Sequence, residues 1–330
     1  MSGGRIALIV AIVLLATLPY WLTGIYYINV SSQILIYAVF ALALNILIGH
    51  GGLVSLGHAG LFGLASYACA IMLQANFGHS AAIIVALVVT LVGTAIFAFL
   101  SLRATGIAFI MITLAIGQIL WGLAYRWIDL TNGDNGVTVT SRPAPFGASL
   151  SSPAAFYYAT LIIFLLAVLA AAIFAQSPFG ASLRGTRDQP RRMNALGYHV
   201  WMIRFYACLF SGVLSGVAGI LFVYYNLFIS PQTLALTASA EVVLMVISGG
   251  SGTLLGPIVG AALVVIMKNV ASAYIVRWNM LLGVIFVAIV IFMPEGLVPG
   301  TVRLWRYWRT RRNTVPVDAA AAGKLPEAKS

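Results

Sequence analysis

Long apolar runs separated by short polar or glycine-rich stretches set the pattern of this 330-residue chain. Crossing a bilayer as a helix takes about 20 mostly apolar residues. Runs of that kind fall near 5–23, 29–49, 54–75, 80–101, 105–125, 154–176, 200–225, 238–249, 253–273 and 277–293. The third, eighth and ninth are short or interrupted by glycine and proline. No stretch shows the strand-like alternation of a membrane barrel. The pattern predicts an all-α fold: a polytopic transmembrane helical bundle of about ten spans, roughly 8–11, some of them broken or short.

Composition makes lipid the solvent. Charged residues are 8% of the chain, hydrophobic residues 62%, and the mean hydropathy is +1.02. A soluble chain of this length needs far more charge to cover its surface. The net charge of +11 would suggest nucleic acid in a soluble protein. Here the basic residues gather at membrane edges and in one tail, where they set topology and touch anionic lipid, so no nucleic acid is expected. Cys69 and Cys208 lie inside apolar runs without metal-ligand spacing and read as small buried hydrophobes. The first apolar run lacks a small-residue cleavage pattern and reads as a span rather than a signal peptide.

Basic residues are more frequent on the cytoplasmic side of membrane proteins. Ten spans with an inside N-terminus place Arg5, Arg103, the 184–192 cluster and Arg303–Arg312 in the cytoplasm. Arg126, Arg142, Lys268 and Arg277 fall outside, partly balanced by Asp129 and Asp134. Both termini are then cytoplasmic. Residues 1–300 form the membrane domain. Residues 301–330 begin with "TVRLWRYWRTRR", which suits an interfacial segment or a topological stop, and end in a tail with the composition of disorder. The outside loop 126–153 is rich in turn residues.

Two glycine-rich stretches, "GHGGLVSLGHAGLFG" (49–63) and "SGGSGTLLGPIVGAA" (248–262), loosely echo each other about 200 residues apart. Paired broken segments point to a transport site at a repeat interface. Around them stand the candidate pathway residues Asn45, Ser55, His58, Thr113, Gln118, Glu241, Gly249, Gly250 and Gly252. His58 can offer a hydrogen bond to a polar substrate, or pack beside the glycines against a freed carbonyl. Glu241 suits a substrate contact, a partner for a basic group or a carboxylate at a helix start. The three glycines can leave N–H donors open to an anionic group, or allow close helix packing. Asn45, Thr113 and Gln118 can line a path or bond between helices.

No catalytic set emerges, so an enzyme is not expected. The four histidines are scattered, no His or Cys pair has metal-ligand spacing, and there is no phosphate-cradling loop. No metal or cofactor is expected on this chain. A stand-alone transporter or channel would usually carry a charged relay within its spans.

One charged island interrupts the apolar chain: "QSPFGASLRGTRDQPRRMNALGYHV" (176–200). Residues 180–196 can form a short amphipathic helix, broken at Gln189 by Pro190 and stopped by Gly197. Such a helix between two spans suits docking on a soluble partner. An ordinary positive-inside loop is the plainer alternative.

Several stretches resemble one family. "NILIGHGGLVSLGHAGLFGLASY" (45–67), "RATGIAFIMITLAIGQIL" (103–120), "TNGDNGV" (131–137), "SAEVVLMVISGGSGTLLGPIVGAAL" (239–263) and "FMPEGLVPG" (292–300) are similar to LivM-like permeases of branched-chain amino-acid ABC importers. The resemblance runs in order from about residue 30 to 300. It implies a translocation subunit of a bacterial inner membrane, paired with a second related permease. Two cytoplasmic ATPases would bind the ATP, and a periplasmic binding protein would deliver substrate. Leucine, isoleucine and valine lead among substrates; urea, short amides and other amino acids use related permeases. The island, about 177–197, then becomes the coupling segment on the ATPases. Leu183, Arg184, Arg187, Asp188, Arg191, Arg192 and Leu196 become its candidate contacts, the two leucines as apolar anchors. The chain departs from the family pattern at Pro190, where an acid is common, which leaves Asp188 as the island's one acid.

Overall fold

The structure is a computed structural model. It describes residues 13–21, 24–140, 142–143, 150, 152–274, 280, 283–284, 287, 291 and 296–300. Most of the first and last predicted spans, and the whole 301–330 tail, lie outside the described residues.

Residues 13–21 are helical. The helices that follow are α1 (Ile25–Asn45), α2 (His58–Gln74), α3 (His79–Ser101), α4 (Ile107–Arg126), the single turn α5 (Ile128–Thr131) and α6 (Pro153–Gln176). Then come α7 (Pro178–Asp188), α8 (Pro190–Ala195), α9 (Val200–Asn226), α10 (Leu236–Gly249) and α11 (Gly256–Tyr274). Among the described residues, five helical stretches are long and apolar enough to cross a membrane: 25–50 and α3, α4, α6 and α9. Three more, α2, α10 and residues 256–271, are apolar but shorter. The fold is thus a helical membrane bundle with short and interrupted members.

Burial sorts the long helices. The best apolar window of the 25–50 stretch is 78% buried and that of α9 is 67%, against 22–28% for α3, α4 and α6. The first two form the centre and the others face outward with apolar side chains, as helices in lipid do. Helix α1 packs on α6, α9 and α11, while α9 also packs on α2 and α3. Small residues permit the closest of these approaches: a Cβ on Gly212, Gly216 or Gly219 of α9 would strike Thr94, Thr90 or the Phe62 carbonyl. Between α1 and α9, the Phe62 ring lies 4.5 Å from Phe40 and 5.3 Å from Phe222. Cys69 and Cys208 are buried thiols, as expected.

The predicted span 29–49 continues past α1 as a π-helical turn, Ile46–His50, and the chain then runs without regular structure from 51 to 57 before α2 starts. Irregular backbone inside a membrane protein must find its hydrogen bonds within the protein. Here Leu53 N donates to Leu47 O, Leu56 N to the Thr113 hydroxyl and Gly57 N to the Ser55 hydroxyl.

At one end of the bundle, a two-stranded antiparallel ribbon pairs β1 (Val137–Thr138) with β2 (Phe228–Ile229). This is a small exception to the all-α expectation. The "TNGDNGV" turn before it places Asn132, Gly133 and Gly136 at positive φ, which accounts for its composition. Helices α7 and α8 lie at the opposite end.

Candidate functional site

The arginine-rich island folds as two short helices that part at Gln189, where the sequence places the break. Ser177 caps α7, its hydroxyl accepting from Gly180 N, with Pro178 at the first helical position. The helix stops at Asp188. Gln189 leaves the helical region, and Pro190 opens α8, as the sequence requires. Gly197, at φ +86°, ends α8.

Helix C-termini leave carbonyls without intrahelical partners, and arginine side chains satisfy them here. Arg184 donates to Ala175 O in the last turn of α6 at 2.7 Å. Arg187 donates to Gly49 O at the end of the π-helical turn. Arg204 donates to Thr186 O in the last turn of α7 at 2.8 Å. At the ribbon end, Arg142 does the same for Tyr224 O and Tyr225 O, at 3.0 and 3.1 Å.

Arg187 stands over a joint between the two glycine-rich stretches. A Cβ on Gly49 would collide with Gly252 N and Cα, so the two segments touch backbone to backbone. Asn45 clamps the contact: its Nδ2 donates to Thr253 O at 2.9 Å and its Oδ1 accepts from Gly252 N at 2.9 Å. Residues 207 positions apart are thereby held by one amide group.

Deeper in the bundle, His58 is 1% exposed and both ring nitrogens are occupied. Nδ1 lies 3.0 Å from Ser55 Oγ and Nε2 lies 2.8 Å from Ser211 Oγ. Ser211 also donates to Ala43 O, and Ser239 Oγ accepts from Ala59 N at the start of α2.

No solved structure matches this chain. A family model described as "Branched-chain amino acid transport system / permease component" matches residues 26–292. The chain belongs to this family. Its relatives include the protein called "High-affinity branched-chain amino acid transport system permease protein LivM" from Salmonella typhimurium, 24% identical over 83% of this chain and 70% of the relative. The Escherichia coli protein of the same name matches to the same extent. A second kind of relative is "Autoinducer 2 import system permease protein LsrC" from Yersinia pseudotuberculosis, 30% identical over 79% of this chain and 74% of the relative.

The permease brings some of the predicted residues together and separates others. Asn45, Gly249, Gly250 and Gly252 meet at the joint; Ser55 and His58 share the buried network, and Thr113 braces the irregular segment beside it. The three glycines do not offer open donors. Gly250 N bonds Val246 O, Gly252 N bonds Asn45, and Gly249 ends α10 where a Cβ would strike Gly256 O, so the backbones here are closely packed. His58 bonds two serine hydroxyls rather than a freed carbonyl. Gln118 is half-buried on α4 and has no hydrogen-bond partner among the described residues. Glu241 sits apart, in an ion pair with Lys268 at 3.2 Å.

The island's residues also divide. Leu183 is fully buried, facing Gly51, so it anchors α7 to this chain and is not free for a partner. Arg184 and Arg187 direct their guanidinium groups at helix ends. The Arg187–Asp188 ion pair, at 3.7 Å between exposed groups, contributes about 0–1 kcal/mol, against about 1.5–3 for a charge-assisted hydrogen bond. The carbonyl of Gly49 therefore fixes Arg187. Arg191, Arg192 and Leu196 are exposed; the two arginines make no hydrogen bond or ion pair among the described residues.

Sequence reasoning did not find Ser211, Ser239 or Arg204, and it read Lys268 only as a topology residue. Lys268 had a signal: it is the one base in the span that follows Glu241. No group of three potential metal ligands occurs among the described residues.

Proposed function

We propose that this chain is the translocation subunit of an ABC importer that carries branched-chain amino acids, or a closely related small solute, across a bacterial inner membrane. Two cytoplasmic ATPases supply the energy, a second related permease completes the pore, and a binding protein delivers the solute from the periplasm. The ribbon end faces the periplasm. The α7–α8 end and both termini lie in the cytoplasm, with the basic tail on anionic lipid. The three shorter helices and the predicted runs 5–23 and 277–293 supply the passes beyond the five long helices, for about ten in all.

The observation that carries this reading is the contact of Arg187 with Gly49 O. A short polar helix at the bundle's end grips the point where two interrupted segments touch. Closure of the ATPases on Arg191, Arg192 and Leu196 would move α7, and Arg187 would pass that movement to the Gly49–Gly252 joint. Rocking of rigid helix groups about a central site is the general scheme of alternating access.

The LsrC relatives favour a second reading, in which the same machinery imports a solute other than an amino acid. Urea and short amides belong to that reading. Purification of the tagged chain from its native membrane tests the assembly. Wild type should bring the ATPases and a second permease with it, and the Arg191→Glu/Arg192→Glu variant should lose only the ATPases. Wild type that arrives alone yet transports in liposomes would refute it.

A further inference from the structure

A cavity of about 680 Å³ lies in the half of the bundle nearest the ribbon, between the ends of α9 and α10 and the flank of α1. Small-molecule sites occupy about 300–1,000 Å³, so the volume suits a metabolite. Tyr37, Phe222, Phe228 and Leu244 give it an aromatic and aliphatic wall, and Glu241 and Lys268 give it charge.

Lys268 Nζ stands 3.2 Å from both carboxylate oxygens of Glu241. The pair keeps 20% of the glutamate and 33% of the lysine side chain exposed, toward the cavity that both residues line. Among the described residues it is the one ion pair that joins two membrane helices, α10 and α11. Ionisable groups within membrane segments are expensive and mark functional sites. The energetic case for a purely structural role is weak, since a well-packed apolar pair serves stability as well as a part-buried ion pair does.

We propose that Glu241 and Lys268 recognise the head group of a zwitterionic α-amino acid. The ligand's ammonium would sit on Glu241, its carboxylate on Lys268, and its aliphatic tail against Tyr37, Phe222 and Leu244. This rests on the amino-acid reading above and names the element that selects for it. The electrostatic reason is symmetry. A lone cation entering the cavity meets Lys268, and a lone anion meets Glu241. A zwitterion carries both charges on one carbon and can lie antiparallel to the pair, giving each of four charges two opposite neighbours with no net charge added. A neutral solute gains only hydrogen bonds and must compete with an intact ion pair for them.

The test is ATP-driven uptake of radiolabelled L-leucine by inverted-free native vesicles that carry the whole importer, with membrane abundance measured alongside. Glu241→Gln and Lys268→Gln should each lower uptake about 10–100-fold, the loss expected when a hydrogen bond to a charged group is removed. The exchanged variant Glu241→Lys/Lys268→Glu keeps an ion pair but reverses it. It should return abundance to the wild-type level and leave uptake low, because the tail and the head can no longer both fit. Recovery of uptake in the exchanged variant would show a structural pair and overturn the proposal, as would single variants that transport like wild type. Wild-type vesicles that import no amino acid would sink the amino-acid reading itself and this inference with it. Wild-type leucine uptake with unaffected variants would sink this inference alone.

Discussion

Arg187 donates a hydrogen bond to the carbonyl oxygen of Gly49, 138 positions earlier in the chain. That bond joins the arginine-rich helix α7 to the end of the most buried membrane-crossing stretch. Gly49 in turn touches Gly252, and Asn45 bonds the same loop. The polar island and the two glycine-rich stretches are thus parts of one mechanical unit.

Asn45 is the unit's clasp, and its amide both donates and accepts. Asn45→Ala removes two hydrogen bonds and leaves Gly252 N and Thr253 O to find new partners, a loss of about 1–3 kcal/mol. Asn45→Asp keeps the acceptor for Gly252 N but sets a carboxylate against Thr253 O. Detergent-purified protein should melt lower for both variants, and lower for aspartate than for alanine.

Contact between the two backbones depends on glycine at both positions. Gly252 has φ +83°, and a Cβ on Gly49 would occupy the place of Gly252 N. Gly252→Ala should cost about 1–3 kcal/mol and reduce assembly with the ATPases. Gly122→Ala is the control: nothing lies within 4 Å of its Cβ position on α4. A helix-interior glycine replaced there should leave the melting temperature unchanged or raise it slightly.

His58 is held between Ser55 and Ser211, with both ring nitrogens occupied, which suits a ring that fills the core rather than one that meets solute. His58→Ala leaves a cavity and strips Ser55 and Ser211 of a partner, which should cost about 2–5 kcal/mol. The melting curve should shift while the ranking of transported solutes stays the same. A changed ranking with unchanged stability would make His58 a substrate contact.

The sequence made the bundle legible where a span is long and ends at a clear signal. The runs 80–101, 105–125, 154–176 and 200–225 fall within two residues of α3, α4, α6 and α9 at each end. Pro190 marked the break between α7 and α8 for a local reason: proline cannot continue the helix that precedes it. The tertiary contacts were not legible. These helices are apolar on nearly every side, so hydrophobic pattern does not tell the protein-facing side from the lipid-facing side. Arg187 and Arg191 look alike in sequence, yet one reaches inward to a carbonyl and the other points outward. Ser211 and Ser239 carry no local signal at all, since their partners His58 and Ala59 lie about 150–180 positions away.

The most direct test of the coupling claim is the amount of solute moved per ATP hydrolysed in proteoliposomes that contain the Arg187→Ala importer. If Arg187 couples α7 to the glycine joint as proposed, and the exposed Arg191 and Arg192 are the proposed docking contacts, the ATPases should still bind and still hydrolyse ATP. Uptake per ATP should fall about tenfold or more, with Arg187→Lys in between, because lysine keeps the charge but loses the guanidinium geometry. Uptake per ATP equal to wild type in Arg187→Ala would contradict the account and leave the island as a docking surface without a role at the glycine joint.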